Sequence, residues 1–162
     1  MTSRIRPATP ADVPAIARLI RGLAEYERLP AAPDEARLHE HLFGPRPYAE
    51  VLVADTAGRV VGFALFFSSY STFLTRPGIY LEDLFVEPEH RGRGIGKALL
   101  ARLARIAVER DCARLEWSVL NWNAPAIRFY DSLGAVPLDD WHTRRLSGEA
   151  LRRVADLDRA SD

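Results

Sequence analysis

The chain has little of what would mark a specialised class of protein. Cys112 is the single cysteine among 162 residues, so no internal disulfide can form, and we do not expect it to act as a catalytic thiol. No apolar run approaches the roughly 18 residues that a membrane-spanning helix needs. The 22 basic and 22 acidic residues cancel, whereas a general binder of nucleic acids or anionic membranes usually carries a basic excess.

Signals for a metal or for export are also missing. The histidines show no metal-ligand spacing with cysteines or carboxylates, and we expect no metal. They are His39, His41, His90 and His142. Residues 1–4 lead directly into sequence typical of a fold, so we expect no signal peptide and a cytoplasmic protein. The length favours a single domain over residues 1–155, followed by a polar tail at 156–162.

The spacing of apolar residues predicts a mixed α/β domain. Helices are expected at 10–26, 35–42, 95–107, 124–133 and 147–155, and Thr9, Asp34 and Asn123 are expected to cap the first, second and fourth of them. Strands are expected at 3–6, 51–54, 60–67, 79–86, 115–120, 135–138 and 141–146, with 68–78 as a polar connection. This order predicts antiparallel strands first and a strand–helix–strand crossover in the second half.

The most informative pattern is Arg91-Gly92-Arg93-Gly94-Ile95-Gly96, here called the glycine loop. It stands between a predicted strand and a predicted helix, so backbone N–H groups and a helix N-terminus converge where an anionic phosphate binds well. Three glycines allow positive φ and a close approach of the ligand. Solvated charges on a surface turn would also explain Arg93 and the following Lys97.

Two common phosphate loops do not fit. The P-loop needs a Ser or Thr after Gly-Lys, but Ala98 follows Gly96-Lys97. The dinucleotide-binding fingerprint needs a third glycine where Lys97 stands. What remains is R-x-x-G-x-G, and this pattern resembles the pyrophosphate loop of the GCN5-related N-acetyltransferases (GNAT), which bind acetyl-CoA.

The resemblance extends over nearly the whole chain. Blocks that resemble the spermidine/spermine (diamine) acetyltransferase branch stand in the family's order: 5–9, 23–27, 80–83, 91–96, 121–123 and 129–135. Trp141-His142 and Gly148-Glu149-Ala150 look closer to the thialysine acetyltransferases of that branch. The resemblance implies the GNAT fold, a central mixed, mostly antiparallel sheet flanked by helices, and implies acetyl-CoA as the co-substrate.

Acetyl transfer from a thioester to an amine needs a base, a donor for the carbonyl oxygen and an acid. An alkylamine has a pKa of ~10.4, so its neutral form costs roughly 4–5 kcal/mol at pH 7. The carbonyl oxygen gains negative charge as the amine attacks, and the departing thiolate benefits from a proton.

The resemblance implies Glu82 as the base, acting directly or through water, and Tyr130 as the acid that protonates the CoA sulfur. A charge on a solvated strand face would also explain Glu82, and packing under Gly134 would explain Tyr130. On a regular strand Glu82 and Asp83 lie on opposite faces, unless a bulge intervenes. We therefore do not assign both residues to catalysis.

The resemblance also implies the cofactor and substrate residues. Those expected at acetyl-CoA are Leu84, Phe85, Val86, Arg91, Gly92, Arg93, Gly94, Ile95, Gly96, Lys97, Asn123, Ala126 and Tyr130. Helix capping alone would explain Asn123 equally well. Those expected at the amine are Tyr26, Glu27, Glu82, Asp83, Glu116, Trp117, Asp140 and Trp141.

The resemblance leaves the amine open. Residues 71–76 lack the acidic–aromatic pair of the animal polyamine enzymes, while His142 and Arg144 offer groups for a substrate carboxylate, or simply lie on a strand face. The expected function is transfer of acetyl to a thialysine-like amino acid or a diamine by direct attack in a ternary complex. The alternatives are a protein lysine or N-terminal acetyltransferase and a non-catalytic acyl-CoA sensor. Relatives in this branch imply a homodimer that pairs late strands.

Overall fold

A five-stranded sheet organises the first 118 residues. The computed structural model describes residues 3–158, which form two compact units, 3–118 and 119–158. The strands, all in the first unit, are β1 (Arg4–Pro7), β2 (Glu50–Thr56), β3 (Arg59–Ser71), β4 (Arg76–Val86) and β5 (Leu115–Trp117). The helices are α1 (Val13–Glu27), α2 (Glu35–Phe43) and α3 (Ile95–Glu109) in the first unit, and α4 (Ala124–Ser132) and α5 (Gly148–Ala155) in the second.

The sheet has the order β1-β2-β3-β4-β5, antiparallel from β1 to β4 and parallel between β4 and β5. The parallel pair needs a crossover, and α3 supplies it, as the sequence predicts. Ile16 and Leu19 of α1 pack with Val53, Phe63 and Phe85 of the sheet. The α/β fold of mostly antiparallel strands flanked by helices is therefore confirmed.

The helix boundaries follow capping residues that the sequence shows. Thr9 precedes a 3-10 turn at Pro10–Asp12 that leads directly into α1. Asp34 caps α2 by accepting a hydrogen bond from the backbone N–H of Arg37 at 3.0 Å. These short-range signals need no tertiary contact to act, which explains why the expected helix starts are correct.

The predicted polar connection at 68–78 is wrong. Strand β3 continues to Ser71 and β4 begins at Arg76, so most of that segment forms the end of a long hairpin. Its serines are compatible with a ladder because the hydrogen bonds of a sheet come from the backbone, and side chains at an exposed end need not be apolar. The fifth strand, expected to reach residue 120, ends at Trp117.

The two last predicted strands are also wrong. Residues 135–138 and 141–146 have no regular secondary structure, and all but Ala135 of these residues are exposed. A strand needs a neighbour to accept its backbone hydrogen bonds, and the described part of the chain supplies none to these segments. No helix within residues 3–158 is both long and apolar enough to cross a membrane.

Candidate active site

The glycine loop follows β4 and the 3-10 turn Pro88–His90, and it runs into the first turn of α3. Gly92 and Gly94 have φ of +73° and +77°, and Gly94 is the residue that precedes the helix. Residues other than glycine rarely adopt these angles, so the backbone conformation favours glycine at both positions. Ile95 opens α3 with a buried side chain, which leaves only its backbone N–H to face a ligand.

Gly96 has a different reason to be glycine. Its φ is not positive, and a Cβ added there would meet no atom within 4 Å. Neither backbone strain nor packing in the described protein explains the residue. Close approach of a ligand to the first turn of α3 does explain it, and a helix N-terminus of this kind binds phosphate. The glycine loop therefore leaves room for an anion at the first turn of α3.

One edge of β4 is open over the last five residues of the strand. Strand β5 pairs only with Ile79, Tyr80 and Leu81, and no strand of the described chain continues along this edge beyond Leu81. The opposite edge of β4 is paired with β3 up to Val86. Leu84–Val86, which are among the residues expected at acetyl-CoA, lie on this open stretch.

A β-bulge interrupts β4 at Glu82. Leu65 of β3 pairs with Asp83 and the next residue, Phe66, pairs with Leu81, which leaves Glu82 as an extra residue. Simple alternation therefore does not apply to Glu82 and Asp83. The bulge is the exception to strand alternation, so the carboxylates of Glu82 and Asp83 need not lie on opposite faces of the sheet. The bulge lies directly before the open stretch of β4.

Three carboxylates interact around this bulge. Burial, together with the negative charges of Glu82 and Glu27, raises the pKa of Asp83 to about 6. Burial also raises the pKa of Glu27, the last residue of α1, where Arg28 ends the helix with a left-handed φ of 58°. We call Glu27, Glu82 and Asp83 the acidic cluster. The structure thus brings together three residues that the sequence assigns to an amine.

Arg91 connects the glycine loop to the neighbourhood of the acidic cluster. Its Nε donates to the carbonyl oxygen of Val86 at 2.9 Å. Its guanidinium carbon lies 4.8 Å from the ring centroid of Tyr26 and 5.3 Å from that of Phe85. These contacts tie the start of the loop to β4 and to the end of α1. The sequence pattern predicts Arg91 as a phosphate ligand and carries no signal for these contacts.

The remaining candidates of the first unit lie on β5 and α3. Glu116 and Trp117 stand opposite Tyr80 and Leu81, so their strand positions flank the bulge. The carboxylate of Glu116 is 3.9 Å from the guanidinium of Arg114. Arg93 and Lys97 are exposed.

The second unit holds the other candidates. The side chain of Asn123 is buried and accepts from the backbone N–H of Ala126 at 3.4 Å, which caps α4. Tyr130 lies one turn further along α4, with its ring 5.4 Å from that of Phe129, and its carbonyl oxygen accepts from the N–H of Ala135. Asp140 and Trp141 are exposed and lie outside regular structure.

Comparison with known proteins identifies a family. The model of the "Acetyltransferase (GNAT) family" matches residues 14–135. The thialysine N-epsilon-acetyltransferase of Bos taurus is 40% identical over 93% of this chain and 96% of its own length. The L-ornithine N5-acetyltransferase of Arabidopsis thaliana is 34% identical over 97% of this chain and 90% of its own.

A solved structure resembles the chain as a whole. An integron cassette protein from V. cholerae superimposes with a TM-score of 0.82 at 28% identity, over 96% of this chain and 98% of that one. The fold, the family and the acyltransferase class that the sequence predicts are confirmed by these matches. The chain belongs to the acetyltransferase (GNAT) family.

Proposed function

We propose that the protein transfers an acetyl group from acetyl-CoA to the primary amine of a small molecule. The observation that carries the proposal is the acidic cluster, placed at the bulge of β4 just before the glycine loop. A protonated amine is attracted to such a group of carboxylates, and the glycine loop fits a pyrophosphate. The proposed sites for the two substrates therefore lie close together along the chain, one on β4 and one on the loop that follows it.

The donor supplies an acetyl thioester, and the residues of the chain hold it. Backbone N–H groups of the glycine loop and of the first turn of α3 face the pyrophosphate, while Arg93 and Lys97 add positive charge. The open stretch Leu84–Val86 offers backbone groups to the pantetheine amides and the acetyl carbonyl. Asn123 and Ala126, at the start of α4, complete the proposed cofactor set.

The acidic cluster binds the cationic amine and takes its proton. Asp83, with a pKa of about 6, is matched to a proton acceptor near neutral pH, where general bases work best. Glu82 is the base expected from the resemblance. Its negative charge is one of the causes that raise the pKa of Asp83, so we propose that Glu82 and Asp83 act together on the amine. Tyr130 is the proposed acid for the CoA sulfur, after direct attack in a ternary complex.

The names of the relatives suggest which class of amine accepts the acetyl group. Their names specify acetylation of thialysine at N-epsilon and of ornithine at N5, and both acceptors are amino acids with a side-chain amine. We propose an acceptor of this kind rather than a polyamine. Tyr26, Glu116, Trp117, Asp140 and Trp141 are proposed to line the amine site. His142 and Arg144 are proposed partners for the acceptor's carboxylate.

Three further proposals concern the chain as a whole. The family match runs from the first unit into the second, which supports a single acetyltransferase domain over residues 1–155. We further propose a cytoplasmic location and a homodimer. Neither a metal nor a second cofactor has a part in the proposed chemistry.

A thiol-release assay with a panel of amines tests the function. We expect turnover with lysine- or ornithine-like amino acids, slower turnover with diamines, and little with peptides. Tight binding of acetyl-CoA without turnover on any amine would instead support the sensor. Efficient acetylation of peptide lysines or N-termini would favour the protein acetyltransferase.

Two variants test the assigned chemistry. Glu82→Gln and Tyr130→Phe are each expected to lower kcat/KM by about 10²-fold or more, the usual contribution of a general base or acid. Glu109→Gln on α3 and Tyr48→Phe on the surface make the same chemical changes at exposed positions and should leave kcat/KM unchanged. If Glu82→Gln and Tyr130→Phe behave like these controls, the mechanism is wrong.

A further inference from the structure

Glu87 is a buried carboxylate that none of the proposed chemical steps uses. Its side chain is only 10% exposed. One Nη of Arg59 donates to both carboxylate oxygens, at 3.0 and 3.1 Å, and Arg18 donates to Oε1. The Nδ1 atom of His90 lies 3.6 Å from Oε2. Two guanidinium groups therefore surround one carboxylate that is almost removed from water.

The position of Glu87 gives this contact its meaning. Glu87 follows the last residue of β4 and precedes the 3-10 turn Pro88–His90, which leads into the glycine loop. Its backbone N–H donates to the carbonyl oxygen of Val61 at 2.9 Å. Since Arg18 belongs to α1 and Arg59 to β3, the side chain of Glu87 ties the exit of β4 to both elements.

Arg18 has a second contact that strengthens this attachment. Its other Nη donates to the carbonyl oxygen of Val60 at 2.8 Å, so α1 is held to β3 and to Glu87 by one guanidinium. Arg91, four residues after Glu87, is anchored to Val86 and to the rings of Tyr26 and Phe85. The segment that enters the glycine loop is thus fixed at both ends.

We propose that Glu87 is a positioning residue that holds the glycine loop in the conformation that binds the pyrophosphate. The inference rests on the proposed function, since the ligand is the phosphate part of acetyl-CoA. Without the charge of Glu87, Arg18 and Arg59 face each other uncompensated, and their repulsion displaces the turn that carries the loop. The N–H groups of the loop then no longer converge, and binding requires that they be reordered.

A cation site is the other use that this cluster of groups invites. Glu87, Glu89 and His90 each bring a ligand atom within 4.8 Å of the others. The two arginines already balance the charge of Glu87, and a divalent cation would have to displace them. The geometry therefore favours an ion-pair cluster, here called the clamp, in which Arg18 and Arg59 hold Glu87, over a metal site.

The test measures binding of CoA to the folded protein by calorimetry, together with steady-state kinetics. For Glu87→Gln we expect about tenfold weaker binding of CoA and a similar rise in KM for acetyl-CoA. The kcat at saturating acetyl-CoA and the KM for the amine should stay within about twofold, because Glu87 touches no reacting atom. A role in stability alone would lower the melting temperature without this separation of KM from kcat.

Two further variants keep the test decisive. Glu50→Gln removes a carboxylate that binds Arg110 through two contacts of 2.6 and 2.8 Å, away from the loop, and should leave CoA binding unchanged. Arg59→Gln perturbs the clamp from β3 and should weaken CoA binding even if Glu87→Gln does not fold. Wild-type affinity for CoA in folded Glu87→Gln or Arg59→Gln overturns the inference, whereas a wild-type protein that fails to bind CoA overturns the proposed function.

Discussion

We expect Gly96 to be needed for ligand binding and not for the stability of the fold. Its helical backbone tolerates a side chain, and the space for a Cβ is open. We therefore expect Gly96→Ala to raise the free energy of unfolding by about 0.5 kcal/mol, because alanine favours a helix over glycine. We expect the same change to weaken CoA binding about tenfold or more, since the methyl group occupies the approach of the phosphate. Chemical denaturation and calorimetry measure the two effects.

Gly94 and Gly58 serve as a matched pair for this prediction. Both have positive φ, +77° and +84°, with nothing within 4 Å of an added Cβ, so alanine is expected to destabilise each by about 1 kcal/mol. Gly58 lies in the turn between β2 and β3, away from the loop, and its alanine variant should bind CoA normally. Equal CoA affinity in the variants of Gly94, Gly96 and Gly58 would contradict the assignment of the loop.

Asp83 is expected to trade stability for activity. Its carboxyl pKa is about 6 in the folded protein against an ordinary value of 3.8, so the folded state binds more protons and stability falls as pH rises between these values. At pH 7.5, Asp83→Asn should therefore raise the free energy of unfolding by on the order of 2 kcal/mol. Denaturation at pH 7.5 and at pH 3.5 measures this gain, which should vanish at the lower pH.

The pH dependence of activity in variants of Asp83 and Glu82 gives a separate prediction. The acid limb of kcat/KM should fall near pH 6 in the wild-type protein and should be lost with most of the activity in Asp83→Asn. In Glu82→Gln the residual activity should titrate at lower pH, because a charge that raises the pKa of Asp83 is gone. An acid limb that stays at the same pH in Glu82→Gln would show that the two carboxylates are not coupled.

At the level of elements, one arginine joins the first strand, the first helical turn and β2. The guanidinium of Arg6 makes contacts of 2.7 and 3.0 Å with Asp12 and of 3.0 and 3.3 Å with Asp55. Asp12, which also accepts from the N–H and hydroxyl of Thr9, is buried. Arg6→Met should destabilise the protein by about 3 kcal/mol at pH 7, because it leaves a buried carboxylate without its cation.

The pH dependence tests the cause of that loss. Hydrogen bonds from Arg6 hold the pKa of Asp12 below its usual range, so the pair stabilises above the ordinary value of 3.8 and the contribution is lost as pH falls through the lowered pKa. The difference between wild type and Arg6→Met should accordingly shrink in acid. Arg37→Met is the control, since that exposed residue is 3.9 Å from Asp34 and should change stability by less than about 0.5 kcal/mol.

Elements with local signals could be predicted from the sequence. Thr9-Pro10, Asp34 and Asn123 start helices where expected, and Gly134, with φ of +83°, follows the end of α4. The expected late strands at 135–138 and 141–146 failed because a strand depends on a partner elsewhere, and alternating apolar residues show no partner. The same limit applies to β5, whose length is set by its pairing with β4.

The parts of the candidate site that are contiguous in sequence could be predicted. The parts that depend on contacts between distant residues could not. The glycine loop is contiguous, and Gly92 and Gly94 have the backbone conformations that the pattern implies. The bulge at Glu82 depends on the register with β3. The contact between Glu87 and Arg18 joins residues 69 positions apart, and no short pattern in the sequence marks such a pair.

At the level of the whole molecule, several apolar side chains are exposed in residues 136–146, here called the late segment. Val136, Leu138, Trp141 and Leu146 are 76%, 58%, 78% and 52% exposed. Exposed apolar groups collected in one segment are typical of an interface. The backbone of this segment also lacks a ladder within the described chain, and pairing with a second copy would supply one. Both observations support the proposed homodimer.

Light scattering coupled to size exclusion tests this assembly. We expect the mass of a dimer for the wild-type protein, whose chain is 18.2 kDa. Leu146→Asp should shift the protein toward the mass of a monomer, because a charge buried in an apolar interface is unfavourable. Val108→Asp places the same charge on α3 at a side chain that is 79% exposed, and should remain dimeric. A monomeric wild type would refute the dimer, and dissociation by Val108→Asp instead of Leu146→Asp would place the interface on α3.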